Sequence, residues 1–282
     1  MGDSPSGIKY RRDYLLMRLG FLNSVNPEDI KLNFLVSTGR TGTKFLARFF
    51  NRYPDTWAVH EPKPDFLKLG INYARGRIDP FQVKKIISKN RTAHFKKARR
   101  IKAKNYIESN NRLFSVLEQL KKIFPAAGIV HIVRDGRDYV RSGMSRAWYK
   151  KHDSTLRLSA NFFPNDPYFE KWDKLSRFQK ICWRWQKKDG FIYQSLKNIE
   201  NSITVKYEEI FKDNGFKGLY RIANYVNMDR KLTDKFVREQ MENKINATRG
   251  YDIPHWKNWD KKKISKFNKI AGKHMKKYYS KE

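Results

Sequence analysis

Phe34-Leu35-Val36-Ser37-Thr38-Gly39-Arg40-Thr41-Gly42-Thr43-Lys44-Phe45 is the stretch that decides the fold of this chain. Its first three residues form an apolar run long enough for a buried strand. Ser37 to Thr43 is small, hydroxylated and glycine-containing. From Lys44 the spacing turns helical, with Phe45, Leu46, Phe49 and Phe50 on one face. A strand, a glycine-rich turn and a helix start make a phosphate cradle, because the free N–H groups of the first helical turn point at the anion. Gly39 and Gly42 permit backbone angles and approaches that a side chain would block. Arg40 and Lys44 add charge, and Thr41 and Thr43 add hydroxyls.

The other apolar runs extend the pattern. Trp57-Ala58-Val59-His60 reads as a short strand that stops at Glu61-Pro62, since proline ends both helices and central strands. Gly128 to Val133 is a second buried run. It closes on Arg134-Asp135-Gly136-Arg137-Asp138, and a helix resumes at Tyr139. Ile203 to Tyr207 reads as a further strand. Helical patterns cover most of 66–124, then 178–196, 217–245 and 261–279, and a shorter one lies around Tyr14 to Leu22. Trp148 to Lys171 is irregular and aromatic, as a substrate-side loop would be. Strands alternating with helices predict an α/β fold with a mainly parallel central sheet flanked by helices, in a single domain with an N-terminal extension over 1–30.

Composition narrows the partners. Lys and Arg number 61 against 28 acidic residues, a net charge of +33, which suits an anionic partner. The densest basic run, Lys96 to Lys104, has few interleaved aromatics and no nucleic-acid motif, so a solvated helix face is the better reading than a specific nucleic-acid site. Cys182 is the only cysteine; it lies between Ile181 and Trp183 and reads as a buried thiol. With it go internal disulfides and cysteine metal sites. No run approaches the length of a membrane span, and Met1-Gly2-Asp3-Ser4-Pro5-Ser6 lacks the apolar core of a signal peptide, so a cytoplasmic protein is expected.

Two anion sites follow from spacing alone. The first loop lacks the Gly-Lys-Ser/Thr of triphosphate-binding loops, since Lys44 follows Thr43 and precedes Phe45. Arg134, at a strand end, and Ser142, in the next helix, can converge on a second anion through a forked pair of donors and a hydroxyl. Ligands lie at such strand ends in open parallel sheets.

At these residues the chain resembles the sulfotransferases that use 3′-phosphoadenosine-5′-phosphosulfate (PAPS). Ser37 to Phe45 is similar to that family's 5′-phosphosulfate loop, and Val130 to Asp138, through Ser142, to its 3′-phosphate motif. Ala58-Val59-His60-Glu61-Pro62 resembles the second-strand block of carbohydrate-type members, and Val205-Lys206-Tyr207-Glu208-Glu209 the Tyr-Glu-Asp segment. The departures are Arg40 where many members carry Lys, and Gly136 where Pro is common.

The resemblance implies a P-loop-like fold and a role for each matching residue. Gly39, Arg40, Thr41, Gly42, Thr43 and Lys44 would surround the phosphosulfate, with Arg40 catalytic. Phe45 and Tyr207 would support the adenine side. Arg134 and Ser142 would bind the 3′-phosphate, joined by the late element Arg249-Gly250. A general base is needed beside the acceptor hydroxyl. His60 has the more suitable ordinary pKa, whereas the resemblance points to Glu61. On a regular strand these neighbours would face opposite ways, so one of them would reach the site. No metal is demanded. The expected reaction is sulfuryl transfer to an acceptor hydroxyl, with a carbohydrate, anionic glycans included, the favoured acceptor. A nucleotide-dependent kinase of similar fold, or a basic polyanion-binding protein, are the alternatives.

Overall fold

Strand β1 (Lys31–Ser37) is buried on both faces from Leu32 onward, which only a central strand covered by helices on both sides can be. In the computed structural model, which describes residues 30–53, 55–146, 148–151, 153, 156–227, 232–242 and 250–279, β1 lies between β3 (Asn105–Ser109) and β4 (Gly128–Val133). Strand β2 (Thr56–His60) pairs outside β3, and β5 (Ser202–Lys206) outside β4. All four pairings are parallel. The order β2-β3-β1-β4-β5 sends the chain to one side of β1 first and to the other side afterwards. That reversal opens a crevice at the carboxyl ends of β1 and β4.

The two-residue period of β1 builds two cores. Phe34 and Val36 point to one face, with Ile129, Trp183 and Ile192. Leu35 points to the other, with Phe45, Phe49, Val130, Ile132 and Val205. The first core is covered by α3 (Pro80–Arg100), α4 (Leu117–Ile123) and α6 (Arg177–Leu196), the second by α1 (Thr43–Phe50) and α8 (Lys217–Tyr225). A third apolar group joins α5 (Gly136–Met144) and α6 to α10 (Lys261–Phe267) through Tyr139, Trp185, Trp259 and Phe267. Cys182 is buried in it, and burial pushes its thiol pKa well up. Both α3 and α6 begin with capping boxes, Asp79 with Gln82 and Ser176 with Gln179, which satisfy orphan N–H groups at each start.

Two expectations need correction, and a third is incomplete. The stretch 66–124 is mostly helical as expected, but β3 also runs through it. Its sequence, Asn-Tyr-Ile-Glu-Ser, hides a fully buried strand behind a charged residue. Glu108 is wholly buried and takes two 2.7 Å hydrogen bonds from Arg91 Nε and Nη2 on α3, with more from Tyr106 and Asn110. Tyr207 does not end β5 but opens α7 (Tyr207–Phe211). The helix expected over 217–245 is α8 followed by α9 (Asp234–Glu242), with non-helical residues at 226–227 and 232–233 and with 228–231 and 243–245 outside the described ones. The N-terminal extension and Arg249 also lie outside the described residues. Among the described residues no helix is long and apolar enough to cross a membrane.

Candidate active site

The loop between β1 and α1 is fixed from within. Ser37 Oγ accepts from Gly39 N at 3.1 Å and from Thr41 Oγ1 at 2.8 Å. The Thr41 hydroxyl is thus spent on the loop itself, and what Thr41 can offer an anion is its backbone N–H. Gly39 and Gly42 have φ of 94° and 70°. At Gly42 the residue type is compulsory, because a Cβ there would sit 2.3 Å from Phe211 Cζ. Arg40 is also left-handed, φ 61°, a conformation that costs a non-glycine residue about 1 kcal/mol or more. Arg134 Nη1 donates to the Arg40 carbonyl at 2.6 Å and holds it there. Gly42 is the N-cap of α1 and supplies no side-chain cap, so the first amides of the helix face the loop without one. Thr43 is buried, whereas Lys44 is exposed.

The second motif meets the first. Arg134 is 8% exposed, and its guanidinium lies 4.4 Å above the Tyr207 ring. Its Nε is buried and finds no hydrogen-bond partner among the described residues. Ser142, fully buried on α5, accepts from Arg40 Nε at 3.0 Å. The residue expected at the phosphosulfate therefore reaches across to the residue expected at the 3′-phosphate. Burial, then repulsion from Arg146 and Arg134, lowers the Arg40 pKa. Three guanidiniums crowding one crevice repel one another until an anion arrives. Tyr207 packs at a tilt against Phe211, with ring centroids 4.7 Å apart, and Phe211 meets Phe45 edge-on at 5.4 Å. Phe45 is buried in this cluster, so it supports the ring wall from behind. Gly250 is exposed. The loop after it packs over α5 through Tyr251 on Arg141 (3.7 Å) and Trp256 on Arg137 (3.4 Å).

The ends of β2 and β3 supply the third group. Glu61 follows β2 with φ 43°, so the alternation expected for neighbours on a strand breaks there. Its Oε2 pairs with Arg112 Nη2 at 2.8 Å, and its Oε1 accepts from Asn111 Nδ2. His60 Nδ1 lies 3.1 Å from the Ser109 carbonyl. A carbonyl only accepts, so Nδ1 carries the proton and Nε2 is bare. Burial lowers the His60 pKa, more than Glu61 raises it. His60 and Glu61 lie at the carboxyl end of β2, the same end of the parallel sheet as the loop after β1. Asn111 bridges to the first loop, since a Cβ on Gly39 would lie 3.5 Å from its Cγ and Oδ1. Lys188 on α6 donates to Asn111 and to the Thr38 carbonyl.

Asn111, Arg112, Arg146 and Lys188 were not singled out by sequence. Asn111 and Arg112 follow the strand that Glu108 disguised. Lys188 falls in a helix whose tryptophans read as core. Among the described residues no group of three or more His, Cys, Asp or Glu could hold a metal ion.

The fold and this crevice define an enzyme of group transfer. The sequence profile of the sulfotransferase family matches residues 34–229, and the chain belongs to that family. Sulfotransferase STF9 from Mycobacterium avium is similar in fold, with a TM-score of 0.56 at 12% identity over 96% of this chain and 81% of that one. The sulfotransferase domain from the curacin biosynthetic pathway gives 0.50 at 12% identity over 87% and 97%. Sulfotransferase STF1 from Mycobacterium tuberculosis H37Rv gives 0.50 at 12% over 93% and 92%. A search of curated proteins finds no match.

Proposed function

We propose that this protein transfers a sulfuryl group from PAPS to an acceptor hydroxyl, with a carbohydrate as acceptor. The observation that carries the donor assignment is the pairing of Arg40 with Ser142 beside Arg134, whose buried Nε is unpartnered. A buried donor without an acceptor costs free energy that a ligand oxygen would recover. The residues fit a bisphosphorylated nucleotide. Loop amides and Arg40 hold the 5′ group, Arg134 and Ser142 the 3′ phosphate, and the Tyr207–Phe211 wall the base side. Gly250, with Arg249 before it in sequence, belongs to the same 3′ side in this reading.

Residue roles follow from charge. The acceptor oxygen attacks sulfur, the bond from sulfur to the bridging oxygen breaks, and adenosine 3′,5′-bisphosphate leaves. Arg40, with the α1 amides and Lys44, stabilises the charge that grows on the bridging oxygen. Glu61 takes the acceptor proton. Its two donors, Asn111 and Arg112, fix both carboxylate oxygens and leave each a lone pair for that proton. His60, with Nε2 bare, is the alternative base. The described residues of 148–175 serve as the acceptor-side wall in this reading, and Arg146 beside Arg40 gives that side a charge suited to an anionic glycan.

Calorimetric titration with adenosine 3′,5′-bisphosphate and with Mg-ATP tests the donor class. The bisphosphate should bind at least tenfold more tightly. Equal or tighter binding of ATP would favour a kinase.

A further inference from the structure

Lys188 is 4% exposed, yet it ends in an ammonium. Its Nζ donates to three oxygens, Thr38 O at 3.2 Å, Asn111 O at 2.8 Å and Asn111 Oδ1 at 2.8 Å. None of these is a carboxylate. A buried ammonium held by three neutral oxygens and the Phe114 ring face at 4.9 Å, with no carboxylate in contact, is a costly way to fill space. Burial, and then Arg184 one turn earlier on α6, drives its pKa well down. The three oxygens belong to two segments that must keep their spacing. Thr38 lies in the loop that would take the donor. Asn111 lies against that loop and against Glu61.

The amide of Asn111 has one orientation that works. Its Oδ1 accepts from Lys188, so its Nδ2 faces Glu61 Oε1 and donates to it. Without the ammonium the amide could turn over and set an oxygen against the carboxylate. Around Glu61 stand Arg112 from the turn after β3, His60 from β2 and, through Asn111, Lys188 from α6.

We propose that Lys188 is a positioning residue for sulfuryl transfer, which locks the donor loop to the base through Asn111 so that the acceptor hydroxyl is held in line. The inference rests on the reading of Glu61 as base. Two substitutions separate the parts. Asn111→Asp keeps the shape and the Lys188 contact but removes the N–H given to Glu61. Lys188→Met keeps the length and removes the donors. Both are assayed in the full chain with ³⁵S-labelled PAPS, with water and with a desulfated heparin-type glycan as acceptors. Carboxyl ¹³C titration of Glu61 runs in parallel, assigned by Glu61→Gln.

Each variant should bind adenosine 3′,5′-bisphosphate within about threefold of wild type, and transfer should slow roughly tenfold or more, the worth of a hydrogen bond to a charged group. The acidic limb of the rate profile and the Glu61 carboxyl titration should both move up, because a lost donor no longer favours the charged form. Wild-type transfer with an unmoved carboxyl titration in Lys188→Met would overturn the proposal. So would a fall in bisphosphate affinity equal to the fall in rate, which would mean damage to the loop alone. Should Lys188→Met fail to fold, Asn111→Asp decides by the same two readouts. If Glu61→Gln keeps its turnover, the base reading falls. The carboxyl titration then still reports whether Lys188 and Asn111 govern that carboxylate.

Discussion

Replacing Arg134 by methionine removes the charge and both nitrogen faces while keeping most of the side chain's length. Two of its interactions serve the loop rather than a ligand: Nη1 to the Arg40 carbonyl at 2.6 Å, and the guanidinium over Tyr207 at 4.4 Å. Their loss relaxes the left-handed Arg40 and should weaken every 5′-phosphate ligand by about 1 kcal/mol. Among the remaining donors of Arg134, Nε is buried and finds no partner among the described residues. If it meets the 3′-phosphate, its loss costs one charge-assisted hydrogen bond, roughly 1.5–3 kcal/mol, or about 10- to 150-fold in Kd.

The assay is calorimetry of wild type and Arg134→Met with adenosine 3′,5′-bisphosphate and with adenosine 5′-phosphate. The second ligand lacks the 3′ group and records only the loop term. Subtracting its loss from that of the bisphosphate isolates the 3′ contact. Losses of equal size for both ligands would refute the assignment of Arg134 to the 3′-phosphate, and would make it a brace for the loop.

Arg40→Met should lower kcat roughly a hundredfold or more, as loss of a transition-state donor does, while bisphosphate affinity falls much less; equal loss in both would make Arg40 a binding residue only. Glu61→Gln should abolish transfer with bisphosphate affinity nearly unchanged, and its melting temperature should fall little because the Arg112 pair is partly exposed. His60→Ala should be milder, and the opposite pattern would give His60 the proton. His94 gives a pH test of stability. Burial, reinforced by Arg91, holds its folded pKa down to about 4, against an ordinary 6.5. The unfolded chain therefore takes up this proton first as pH falls. The stabilisation is complete above the ordinary value and is lost as pH falls from there toward 4. Between pH 7 and 5 this removes about 2 kcal/mol. His94→Gln, which can still donate to the Lys63 carbonyl, should lose less stability than wild type over that interval in urea melts at each pH; identical slopes would contradict it.

What was legible in the sequence was local. The β1 loop and α1 carry their own signature, as do β4 and Arg134, because strand, turn and helix follow one another within a dozen residues. Strand β3 was hidden because its most buried charge, Glu108, is neutralised by Arg91, seventeen residues earlier on α3. With β3 went Asn111 and Arg112, whose place in the crevice depends on where that strand ends. The contact of Arg40 with Ser142 spans 102 positions, and that of Lys188 with Thr38 spans 150. Neither leaves a periodic trace. Glu61 and His60 were weighed as neighbours on a strand, but the positive φ at Glu61 is a backbone choice that its sequence context does not announce. The run after Trp148 reads as irregular for a reason visible in composition. Its prolines and scattered aromatics fit neither period, and the structure gives it short 3₁₀ turns at Ala160–Phe162 and Trp172–Lys174.

In the proposed function this crevice moves a sulfuryl group and not a phosphoryl group. The most direct measurement is transfer of label to a desulfated heparin-type glycan, from ³⁵S-labelled PAPS in one reaction and from γ-³²P-labelled ATP with magnesium in another. Label should enter the glycan from PAPS alone, with adenosine 3′,5′-bisphosphate formed in equal amount, and Arg40→Met should suppress it. Incorporation of ³²P from ATP, with none of ³⁵S from PAPS, would contradict the account.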